Sequence, residues 1–106
     1  MKTYKIRLEN TALQDIDLAY VWGCEQWGVE KAKKWYRAIK EATRSLSTFP
    51  ERYPIAPELE QEELGDEVRK MVFQRYRILF TIKKDTVNIL HVRGAYKADV
   101  SEENEE

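Results

Sequence analysis

Arg69, Arg75, Arg77 and Arg93 recur along the stretch Val68 to Lys97, and their surroundings read as strands. In Tyr76-Arg77-Ile78-Leu79-Phe80-Thr81-Ile82 the even positions are bulky and apolar, while Arg75, Arg77, Leu79 and Thr81 occupy the odd ones. Side chains alternate across a strand, so one face is expected to enter a core while the other presents cations. Guanidinium groups on a sheet face suit phosphate or carboxylate, which makes this stretch, with Lys97, a candidate binding or catalytic surface. His91 and Arg93 share one side of their strand by period two, and an imidazole exchanges protons near neutral pH. The alternatives are structural: a packed or hydrogen-bonded histidine, and arginines that anchor loops through carboxylates.

These residues need a scaffold, and the apolar periodicity outlines one. Thr3 to Leu8 alternates Tyr4, Ile6 and Leu8 against Thr3, Lys5 and Arg7, as a half-buried strand does. Asn10 or Thr11 then offers an N-cap, and Asp15 and Asp17 lie early in a helix, where carboxylates suit the dipole. Leu13, Ile16, Tyr20, Gly23 or Cys24, and Trp27 follow helical spacing, and Gly28 ends that helix. A second helix is predicted over 29–48, with Ala32, Trp35, Tyr36, Ile39, Ala42, Thr43 and Leu46 as its apolar stripe. Phe49-Pro50 stops it. Pro50, Pro54 and Pro57 mark a loop that runs through an acidic patch to Gly65, where 58–64 offers a helical turn. Strands are predicted at 68–73, 75–82 and 86–93, with Lys83-Lys84-Asp85 as a tight turn. Strand, helix, helix and three strands make an α+β domain: a small, mostly antiparallel four-stranded sheet with a helical hairpin packed on one face.

The chain has 106 residues, one domain's worth, and a length that buries about two thirds of its unfolded surface. Cys24 is its only cysteine, which excludes an intrachain disulfide and a thiolate-built metal site. No apolar run suggests a signal peptide or a spanning helix, so a reducing, cytoplasmic setting without membrane contact is expected. The formal net charge of −1 hides segregation. Residues 50–67 set Arg52 against Glu51, Glu58, Glu60, Glu62, Glu63, Asp66 and Glu67, whereas 68–97 holds eight cations against Asp85. A basic sheet next to acidic segments attracts nucleic acid or an acidic protein partner. Residues 1–97 are read as the domain and 98–106 as a flexible acidic tail.

The order of these elements, with Ala12 and Asp15-Ile16 opening the first helix, resembles the ParE/RelE superfamily of type II toxin–antitoxin (plasmid stabilisation) toxins. Trp27-Gly28, Ala32, Tyr36, Leu46, Phe49-Pro50, Gly65, Arg69, Tyr76 to Phe80 and Val87 to Gly94 carry the resemblance, from Tyr4 to about Lys97. It implies the RelE-like fold (β-α-α-β-β-β), a cognate antitoxin as partner and no cofactor. It also implies one of two activities. ParE-like members inhibit DNA gyrase and need no catalytic set. RelE-like members cut mRNA on the ribosome without a metal, and for that reaction Arg69, His91, Arg93 and Tyr96 are the candidate catalytic residues. Such cleavage requires removing the 2'-hydroxyl proton, stabilising negative charge and protonating the leaving oxygen. RelE-like catalysis draws on lysines before the second strand, yet none stands between Lys40 and Lys70, and glutamates fill that segment. Like charge repels an RNA backbone, which favours the ParE-like branch. Arg69, Arg75, Arg77, Arg93 and Lys97 are then the residues expected to meet target or antitoxin. A third reading is an attenuated toxin that only binds its antitoxin.

Overall fold

The computed structural model describes residues 2–57, 61, 63, 64 and 67–94. The expected acidic tail, Tyr96 and Lys97 therefore lie outside the described residues. Strand β1 (Lys5–Leu8) leads into helices α1 (Asn10–Trp27) and α2 (Val29–Arg44). Strands β2 (Arg69–Phe73), β3 (Tyr76–Lys83) and β4 (Thr86–Gly94) follow. The sheet order is β1-β4-β3-β2, with β1 parallel to β4 and the remaining pairs antiparallel, which is the α+β arrangement expected. Both hairpins close with two residues, and the first residue of each turn, Gln74 or Lys84, takes positive φ.

The helices pack on one sheet face through Ile16, Trp35, Ile39 and Leu46, against Ile78, Phe80, Val87 and Ile89. The stripe of α2 is the predicted one. That of α1 is displaced: Ala12, Ile16, Ala19 and Gly23 are buried, whereas Leu13 and Trp27 are each 38% exposed. Helix α1 is wedged between α2 and β4, and close approach of backbones favours small side chains there. Helix α2 also ends earlier than expected, at Arg44, and tightens into a 3-10 turn over Ser45–Ser47. There Thr43 Oγ1 donates to the Lys40 carbonyl and Ser45 Oγ to that of Ala42, the back-bonding by which hydroxyls compete with helix continuation.

The start of α1 departs from expectation too. Its N-cap is Glu9, with no side-chain cap bond. The Thr11 hydroxyl donates instead to the Leu90 carbonyl at 2.6 Å. The reason is topological. Pairing of β1 with β4 stops at Leu8 and Ile89, so β4 runs on with an open edge that the first turns of α1 cover.

Candidate anion-binding sheet face

Register decides which cations stand together. Across the sheet, Arg77 faces Arg93 on β4 and Val72 on β2, and Leu79 faces His91 and Lys70. Paired residues share a face, so Lys70, Arg77, His91 and Arg93 all lie on the side away from the helices. Arg69 does not join them. Its register partner is the core residue Phe80, and its Nη1 donates to the carbonyls of Glu51 (3.1 Å) and Tyr53 (2.7 Å). It ties the loop after α2 to the sheet edge, where Ile55 bridges Arg69 and the Lys70 N–H donates to Pro54. Arg75 sits in the β2–β3 turn, beside Trp22, Trp27 and Gln74.

The outer face is not a bare cationic surface. Leu79 is fully buried there, in a second small core with Ala56 and Val68, packed by Leu64 and Leu90. The irregular register between Leu79 and Phe80 sets both Leu90 and His91 opposite Leu79, the extra residue of a bulge. Strict alternation along β3 therefore holds for the helix side only. Gln61 fastens the covering loop: its side-chain amide accepts from the Val68 N–H (3.0 Å) and donates to the Val68 carbonyl (2.6 Å), as a neighbouring strand would. In the expected helical turn, the described residues Gln61, Glu63 and Leu64 are helical.

Two carboxylates complete the site. Asp15 Oδ2 lies 2.8 Å from His91 Nδ1 and accepts the Val92 N–H at 3.0 Å. With Nδ1 donating, a neutral imidazole keeps its lone pair on Nε2, the form of a general base. On the other flank Glu63 pairs with Arg93 Nη2 at 2.9 Å. The hydrogen bond and charge of Arg93 hold the Glu63 carboxyl below its ordinary value; His91 adds to this and partial desolvation opposes it. The arrangement is thus an arginine pair and an oriented histidine, partly neutralised by Glu63. Guanidinium groups in such an arrangement suit an anion, and the imidazole lies beside them. Among the described residues, no cluster of histidine, cysteine and carboxylate side chains could hold a metal, and no helix is long and apolar enough to cross a membrane.

Comparison with known proteins identifies the family and the fold. The family described as ParE toxin of type II toxin–antitoxin system, parDE, matches residues 6–97. The chain belongs to the ParE toxin family. No curated protein sequence gives a significant match. Among solved structures, it is similar to a chain of the chromosomal ParDE toxin–antitoxin system from P. aeruginosa, with TM-score 0.73 and 20% identity. The alignment covers 87% of this chain and 96% of that one. It is also similar to a chain of the RelBE2 toxin–antitoxin complex from Mycobacterium tuberculosis, with TM-score 0.60 and 24% identity, covering 89% and 93%. These likenesses carry the fold. The family match carries the assignment as a type II toxin.

In this ParE-family toxin, sequence reasoning missed Asp15, Glu63 and Gln61 as parts of the site. Asp15 stood out only as an acid early in a helix. A signal was present in the lengths of the strands: four residues in β1 cannot cover a β4 of nine, so something in α1 must. Gln61 had no local signal, because its partner backbone lies seven residues away across a turn.

Proposed function

We propose that this toxin acts stoichiometrically on DNA gyrase through the outer sheet face and the end of β4, and that a cognate antitoxin silences it by covering part of that basic surface and the helical hairpin. Membership of the ParE family supports the toxin reading. The choice of gyrase over the ribosome rests on Arg69. The RelE-like reading sets Arg69 in one catalytic group with Arg93 and His91, whereas here its guanidinium is engaged by two loop carbonyls. Glu63 on Arg93 adds a negative charge where an RNA phosphate would have to sit. Arg75, Arg77, Arg93 and, beyond the described residues, Lys97 are the proposed contacts.

One observation favours the second reading, a metal-independent mRNA endonuclease. The Asp15–His91 pair orients an imidazole next to Arg93, as a general base would be held. Pulse-labelling of DNA and protein synthesis after induction in bacteria lacking the antitoxin separates the two. Gyrase inhibition predicts early loss of DNA synthesis with a DNA-damage response. Early collapse of translation, abolished by His91→Ala, would transfer the assignment to mRNA cleavage. Continued growth would leave an attenuated toxin that serves only to bind its antitoxin.

A further inference from the structure

The end of the molecule where α1 meets α2 and β2 turns into β3 carries a patch of which the proposed sheet-face contacts share only Arg75. Trp27, the last residue of α1, remains 38% exposed, yet its ring is held in place. It stands edge-on to Trp22, with centroids 5.3 Å apart and planes at 88°. It also folds back over Gly23, where even a methyl group would meet the ring's Cζ3 at 2.9 Å. Two hollows adjoin this indole: one is lined by Trp22, Gln74 and Arg75, the other by Lys31, Lys34 and Trp35.

The cations here are exposed. Lys31, Lys34 and Arg75 have no ion pair among the described residues, and Glu30, one helical turn before Lys34, does not reach it. Three exposed cations without an ion pair among the described residues suit an oxygen-rich anion. The fixed, exposed indole asks for a flat apolar group beside it. An acidic peptide answers the first demand only, whereas a nucleic acid strand answers both, since every base offers a π-face flanked by phosphates.

We infer that this patch binds single-stranded nucleic acid, stacking a base on Trp27 and holding neighbouring phosphates at Lys31, Lys34 and Arg75. The site is separate from the arginine pair on the sheet and stands whether the toxin's target is gyrase or the ribosome.

Fluorescence anisotropy of a dye-labelled twelve-nucleotide oligothymidine, titrated with the full chain over a range of salt, tests it. Three phosphate contacts give a log–log salt slope of about −2. Trp27→Leu should weaken binding roughly tenfold through lost stacking. Lys31→Glu with Lys34→Glu, both exposed positions, should abolish most of the binding without moving the melting temperature. Arg37→Glu, an exposed cation on the Tyr36 side of α2, should leave it intact. The inference is overturned if the folded chain fails to bind at low salt, or if the lysine double variant binds like the wild type. Loss through Arg77→Glu and Arg93→Glu instead would move the site to the sheet, and equal binding of a polyglutamate peptide would reassign the patch to acidic proteins.

Discussion

Asp15 on α1 and His91 on β4, 76 residues apart in the chain, are joined by a 2.8 Å contact at the carboxylate oxygen that also accepts the Val92 N–H. One side chain thereby closes the open edge of β4 and orients the only histidine of the protein. Replacing it separates the two roles. Asp15→Ala leaves the Val92 N–H without its acceptor and should cost about 1–3 kcal/mol in urea unfolding. His91→Ala, which leaves the Val92 bond intact, should cost less. Equal losses would mean that the edge closure contributes nothing.

Gln61 is expected to govern the cover of the outer face. Gln61→Ala orphans the Val68 N–H, a buried donor, at a cost of about 1–3 kcal/mol. Hydrogen exchange at Val68 should accelerate while that at Ile78, on the helix side, follows only the global loss. Unchanged protection at Val68 would show that Leu64 packing alone holds the loop.

Arg69→Ala removes two charge-assisted bonds to the Glu51 and Tyr53 carbonyls, and about 1–3 kcal/mol of stability should go with them. Arg77→Glu with Arg93→Glu exchanges two facing cations for two facing anions and breaks the partly exposed Arg93–Glu63 pair, so the melting temperature should stay within a few degrees while toxicity falls. Growth arrest at wild-type strength by that folded double variant would remove the sheet face from the proposed contact surface.

Gly28 joins the helices at φ 94 and ψ 158, a region that L-residues avoid, in open space. Gly28→Ala therefore meets no clash, and any loss is backbone strain of about 1–3 kcal/mol. Chemical denaturation measures it directly, and an undiminished midpoint would mean the junction relaxes freely.

Acid should loosen the loop after α2. The Tyr4 hydroxyl donates to the Glu51 carboxylate, which with smaller help from its own backbone N–H, Lys2 and Arg69 holds Glu51 below the ordinary 4.5. A depressed carboxyl contributes stability that is complete above the unfolded value and fades as pH falls through the folded one. Tyr4 is raised above 10.0 by the same bond, so its contribution is present below that value and fades on the alkaline side. Glu51→Gln should flatten the acid limb of stability below about pH 4.5 relative to the wild type, by thermal melts across pH. An identical acid limb in both proteins would assign the loss to other carboxylates.

The order and kind of the elements were legible in the chain because they rest on local periodicity. The alternation in 75–82, the stripe of α2 and the stop at Phe49-Pro50 each involve neighbours within a few residues, and together they also carried the family resemblance. The residues able to bind anions were legible as types, as were their strands. Which partners they take was decided only in three dimensions. Arg69 and Arg93 look alike in sequence, yet register turns one toward loop carbonyls on the helix side and sets the other beside Arg77 on the outer face. A strand has period two, so a single bulge at Leu90-His91 suffices to reassign faces, and no local pattern announces it. The partners of those cations, Glu63 and the Asp15–His91 pair, come from distant segments. Their distances are consequences of packing α1 and the segment holding Glu63 on the sheet, which is why the tertiary structure alone tells Arg69, tied to loop carbonyls, from Arg93, paired with Glu63.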